Sequence, residues 1–143
     1  MHRRVLNGDN LAKRGIIGPH ICPPCCSAQE TVDHLFVDCP YTQEVWTQAM
    51  HRLKAHPPVQ LSVVNIFVTW KGRSSHPLKN NSAWPKIWFA IPKYVCWEVW
   101  LARNEAIFNS NSHSPTVVVA RAKALLLETL ENRPHNPIST LLP

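Results

Sequence analysis

The sequence predicts a mainly α fold: a small helical domain built around a knuckle of three cysteines and one histidine, with further helices towards the C-terminus. Three observations lead there. Four of the five cysteines fall between Cys22 and Cys39, with His34 among them. Apolar residues recur at helical spacing over 41–53, 83–109 and 114–131. Thirteen prolines against four glycines exclude one long coiled coil and predict short elements with stiff connections. At 143 residues, 45% apolar and 17% charged, the chain has the size and composition of one ordered domain. It is too short for a complete polymerase.

The formal charge of +6 is uneven. Residues 15–51 hold no Lys or Arg and four acids, Glu30, Asp33, Asp38 and Glu44. Residues 52–103 hold eight basic groups and only Glu98. A pI near 9.3 is compatible with nucleic-acid binding, although no dense basic run occurs and a solvated basic surface is the plainer reading. The opening Met1-His2-Arg3-Arg4 leads into polar residues rather than an apolar run, and no long uncharged apolar stretch follows. The expectation is an intracellular protein, in nucleus or cytoplasm, neither secreted nor in a membrane.

The elements follow in order. Asp9 caps a short helix to Arg14, closed by Gly15. Then comes CPPCCSAQETVDHLFVDC. Cys22 and Cys25 give C-x2-C, a tight turn that aims two thiolates at one ion; His34 and Cys39 complete a tetrahedral set for Zn2+. A disulfide framework or unrelated buried thiols is the alternative, disfavoured for an intracellular chain. One ion bound by three ionised thiols lowers the formal net charge by one.

Residues 30–36 have helical character, yet His34 and Cys39 differ by five positions, about 140° around an α-helix. The helix must therefore end near Asp38, where Pro40 supplies a break. Cys26 could replace Cys25 through C-x3-C, but adjacent side chains rarely both face one metal, so Cys25 is preferred. Cys96 reads as a core cysteine.

Residues 41–53 form an amphipathic helix with Val45, Trp46, Ala49, Met50 and Leu53 on one stripe. Residues 61–70 are ambiguous between strand and helix, and 71–82 are a polar loop. Residues 83–109 are the main helical region, which Pro92 must kink or split. Trp84, Trp88, Val95, Val99 and Phe108 are placed on a common buried seam rather than a base-stacking surface. Ser114-Pro115 opens a last helix to about Glu131, with Val117, Val118, Leu125 and Leu126 as its apolar residues. The divisions are 9–54 for the zinc module, 55–82 for a linker with the ambiguous strand or helix, 83–132 for a Trp-rich helical region and 133–143 for a tail.

Around the cysteines the sequence resembles the zinc-binding domain of plant non-LTR (LINE-type) retrotransposon reverse transcriptases. DNLAKRGI, CPPC, ETVDHLFVDCP with Trp46, and the later Trp97, Trp100 and ARNEAIFN carry the likeness over most of 9–109. The resemblance implies one structural zinc on Cys22, Cys25, His34 and Cys39, and a retroelement fragment or a host gene derived from one. Cys26 stands where that family usually has a glycine, which eases the knuckle turn.

Catalytic chemistry is not expected. No Asp-Asp pair exists for two-metal polymerisation, no Gly-rich phosphate loop is present, and the local acids lie inside the knuckle. Glu30, four residues before His34, reads as helix support or a contact to that ligand. His2, His20, His51, His56, His76, His113 and His135 read as surface residues, with His20 as a reserve ligand. Two functions follow. One is an accessory nucleic-acid-binding module, weakly sequence-selective, contacting RNA or DNA phosphates through Lys13, Arg14, Arg52 and Lys54. The H-x4-C end matches a retroviral knuckle, but the loop before it is four residues longer, so direct analogy is weak. The alternative is a host protein–protein interaction module with a purely structural zinc, docking through the Trp-rich region from Trp84 to Trp100.

Overall fold

Four helices carry the chain in the computed structural model, which describes residues 20–53, 55–57, 62–70 and 84–131. They are α1 (Pro40–Arg52), α2 (Val63–Thr69), α3 (Trp84–Phe108) and α4 (Pro115–Glu131), preceded by a π-helical turn, His34–Asp38. Among the described residues there is no strand, only an isolated antiparallel bridge between Ile21 and Gln29. The fold is mainly α, and within the ambiguous stretch 61–70 the residues Val63–Thr69 are helix. The proposed helix 9–14 and loop 71–82 lie outside the described residues.

Helix α1 begins with Pro40 in its first turn, where the missing N–H costs nothing. The same proline keeps Cys39 extended (φ −61°, ψ 125°), which separates the π turn from α1. Val45, Trp46 and Met50 face inward. Helix α2 is capped twice: Ser62 Oγ accepts from Asn65 N–H (3.3 Å) and Asp33 Oδ1 from Val63 N–H (2.8 Å). The second cap fastens α2 to the segment that leads into the π turn.

Tryptophans join α1, α2 and α3. Trp70 lies 5.7 Å from Trp46 and stacks on Trp88 at 4.9 Å and 24°. Trp70 and Trp88 also exchange hydrogen bonds: Trp70 Nε1–H donates to Trp88 O (2.7 Å) and Trp88 Nε1–H to Trp70 O (3.0 Å). Pro92 explains the free acceptor. It lacks the N–H that would bond the carbonyl four residues back, and that residue is Trp88. Helix α3 therefore runs on through Pro92 without splitting, because the orphaned carbonyl has an indole partner.

Trp84, Trp88, Ile91, Val95, Val99 and Ala102 are the buried row of α3, but Phe108 is 73% exposed and does not extend it. Twenty-four residues carry Phe108 about 240° round from Trp84, off the seam. Helix α4 packs against α3 and α1 through Val118, Ala122 and Leu126, spaced by four. Val117 is turned outward, 40% exposed.

Candidate metal centre

The knuckle is closed by backbone bonds. Cys22 N–H donates to Ala28 O (2.8 Å), Cys26 N–H to Cys22 O (2.8 Å) and Glu30 N–H to His20 O (3.0 Å). These bonds fold 20–30 into a tight loop that brings Cys22 and Cys25 together. The His34 backbone N–H donates to Thr31 Oγ1 (3.0 Å), fixing the start of the turn that presents the imidazole.

The π turn solves the register problem. Cys39 N–H reaches back to His34 O (2.7 Å), the i-to-i−5 bond of a wider turn, before the backbone straightens at Cys39. A turn of this kind leaves carbonyls in need of donors, and α1 supplies them. Thr42 Oγ1 donates to Leu35 O (2.7 Å) and Trp46 Nε1 to Phe36 O (3.0 Å). Both bonds are buried, so α1 holds the turn that carries His34.

The ligand atoms of Cys22, Cys25, His34 and Cys39 all lie within 4.8 Å of one another. Cys22 Sγ is 3.8 Å from Cys39 Sγ, and Cys25 Sγ 3.3 Å from His34 Nε2. Zinc bonds of about 2.3 Å to sulfur and about 2.0–2.1 Å to nitrogen put tetrahedral ligand pairs about 3.6–3.8 Å apart. The spacing fits that ion. Cys22 and Cys39 are fully buried, while Cys25 and His34 are half-buried.

The thiols are prepared for it. The Cys22 thiol donates to Cys39, bringing the Cys39 pKa down to about 5 and raising its own. Burial works against ionising Cys25, but Ser27, through its hydroxyl and backbone, and then His34 bring its thiol below the ordinary value. Ser27 Oγ donates to Cys25 Sγ at 3.2 Å.

Cys26 is outside the cluster. It is exposed, bonds Pro23 O (3.2 Å) and adopts φ 53°, in the left-handed region that favours glycine. The backbone thus gives the reason for a glycine at this position. Cys96 is half-buried in α3, where burial pushes its thiol up to about 12.

The profile of a family described as zinc-binding in reverse transcriptase matches residues 1–46. That match takes in all four clustered side chains and ends on Trp46, the indole that holds the π turn. Neither a curated protein nor a solved structure matches the chain significantly. A zinc-binding module is thus supported twice, by the matched segment and by the geometry of the four side chains.

Two sequence readings need correction. Glu30 is committed to the far side of the fold: its oxygens accept from Arg103 Nε (2.9 Å) and Nη2 (2.7 Å), a bidentate pair with both side chains 0% exposed. His113 is no free surface residue. It pairs with Glu105 Oε2, which Arg121 Nη1 also reaches (2.9 Å), and its carbonyl accepts from Tyr41 Oη (2.8 Å). His20 is exposed and lies outside the cluster.

Of the basic residues expected at phosphates, Lys13, Arg14 and Lys54 lie outside the described residues, and Arg52 ends α1. In the Trp-rich region Trp84 and Trp88 are 2% exposed and belong to the core, whereas Trp97 is 46% exposed. No described helix is long and apolar enough to cross a membrane.

Proposed function

We propose that this chain is a non-catalytic accessory module of retroelement reverse-transcriptase type, of plant non-LTR ancestry, that binds nucleic acid around one structural zinc. The four-ligand cluster supports the reading: four protein side chains supply the full ligand set of a tetrahedral zinc, and an ion so held would have no open position for substrate. Holding the π turn, α1 and the knuckle in register is the work such an ion does here.

Charge favours nucleic acid over a protein partner. Of the nine carboxylates in the sequence, Glu30 and Glu105 are paired with arginines, Asp33 caps α2 and Glu98 is buried. The formal charge of the chain is +6, and the buried Glu98 adds nothing negative to its surface. Such a surface binds phosphate backbones with little sequence preference and strong salt dependence.

Two measurements test this. Native mass spectrometry of protein purified under reducing conditions should find one zinc, lost in His34→Ala and kept in Cys26→Ser. Oligonucleotide binding should fall steeply with added salt, and Lys13→Ala with Arg14→Ala should weaken it. A folded wild type without zinc would remove the basis of the reading. Salt-insensitive binding to an apolar protein partner, with no nucleic-acid affinity, would favour the interaction module instead.

A further inference from the structure

We propose that the solvent face of α3 is a platform for single-stranded nucleic acid, with Lys86 and Lys93 on phosphates and Phe89 and Trp97 stacking on bases; this rests on the nucleic-acid reading above and gives it a surface. Lys86, Phe89, Lys93 and Trp97 fall within an arc of about 80° on the helix. That arc lies opposite the row of Trp84, Ile91 and Val95 that enters the core. Both lysines are exposed, and Phe89 and Trp97 are 44% and 46% exposed. At a rise of about 1.5 Å per residue the lysines stand about 10 Å apart along the axis and the aromatics about 12 Å.

The aromatic rings are supported from behind. Trp97 leans on half-buried Trp100 (5.1 Å, 34°), which holds its indole outward as a fixed surface. Beside Phe89, a groove of about 190 Å³ runs between Lys86 and Lys93 and the α4 residues Leu126 and Thr129. Tyr94 Oη, which also lines it, donates to Thr129 Oγ1 (2.6 Å). That volume is below the roughly 300–1,000 Å³ of a small-molecule pocket, so the feature suits the edge of a surface-bound group rather than an enclosed ligand.

Charge selects the occupant. Glu98 is the sole acid between residues 52 and 103, and it is turned into the core at 3% exposure. No ion pair among the described residues uses Lys86 or Lys93. Protein interfaces deplete lysine where they concentrate aromatic residues, whereas single-strand binders interleave the two. A duplex presents phosphates but no free base faces, so an unpaired strand fits both halves of the stripe.

The test is fluorescence anisotropy of zinc-loaded, full-length protein with labelled oligo-dT, oligo-U and a blunt duplex of equal length across a salt series. The wild type should prefer the single strands. Trp97→Ala and Phe89→Ala should each weaken that binding about fivefold or more. Lys86→Ala with Lys93→Ala should reduce the slope of log affinity against log salt by about 1.4. Zinc content and circular dichroism should stay unchanged, since all four side chains face solvent. Single-strand binding that survives all these changes would overturn this surface and leave the nucleic-acid reading standing. No binding to any oligonucleotide would overturn both. A change of sedimentation in Trp97→Leu or Phe89→Ala without loss of oligonucleotide binding would assign the stripe to self-association instead.

Discussion

Arg103 and Glu30 join the two ends of the described fold. The guanidinium of α3 takes both carboxylate oxygens of the residue that closes the knuckle, at 2.9 and 2.7 Å, with no solvent access to either side chain. The knuckle and the C-terminal helices are thereby one structure. A planar fork meeting a carboxylate fixes orientation as well as distance, which a lysine would not do.

Breaking that pair should be costly in one direction and mild in another. Glu30→Ala or Arg103→Ala breaks a buried bidentate ion pair and should destabilise by about 3–5 kcal/mol. The double change Glu30→Met with Arg103→Met removes both charges and should cost clearly less than the two single losses added. Urea unfolding of the four proteins at saturating zinc measures this, and additive losses would show that the pair is not coupled.

Zinc removal should act locally first. Hydrogen exchange with and without a chelator should show Cys22, Glu30, Leu35 and Cys39 amides losing protection, because their bonds all lie in the knuckle and π turn. The α3 and α4 amides, held by their own apolar row, should keep most of theirs. Equal loss everywhere would mean that the ion sustains the whole core.

The cysteine spacing and the apolar stripes showed the helical class and the candidate ligands because both are local, periodic signals. The π turn was not legible, since its stability comes from Thr42 and Trp46 in the next helix. Nor was the Arg103–Glu30 pair, whose partners are 73 residues apart. A signal for it did exist: Arg103 lies about 40° from Val99 and about 60° from Trp88 around α3, on a buried face where a charge demands a partner. Phe108 was misplaced for the opposite reason, a stripe extended beyond the turn where its periodicity stops.

Cys26→Gly should stabilise the protein. At φ 53° a side chain bearing a Cβ is strained, and glycine removes that strain at a position whose thiol is exposed. The gain should be about 1 kcal/mol in thermal or urea unfolding, with one zinc retained. A loss of zinc would instead bring Cys26 into the site.

Glu98 should make stability depend on pH. Burial raises its pKa, partly offset by Arg121, and its Oε2 has no hydrogen-bond partner among the described residues. An acid whose folded pKa is raised is penalised when charged, so its cost is full above that pKa and fades as pH falls towards the unfolded value. Glu98→Met should therefore stabilise by about 1–2 kcal/mol near neutral pH, with the advantage shrinking in acid. A constant difference across the pH range would mean that packing, not charge, sets it.

The Trp70 indole and Pro92 should behave as a coupled pair although neither touches the metal. Trp70→Phe removes the donor to Trp88 O and leaves that buried carbonyl unpaired, since Pro92 cannot supply the helical N–H. The loss should be about 1–3 kcal/mol, beyond any change in packing. In a Pro92→Ala background the helix provides its own N–H to Trp88 O, so the same Trp70→Phe change should cost about 1 kcal/mol less. The cycle is read from urea midpoints of the four proteins at fixed zinc. Equal costs in both backgrounds would show that stacking alone joins Trp70 to α3; a smaller cost in the Pro92→Ala background would assign the proline a structural task, that of freeing the acceptor which fastens α2 to the core.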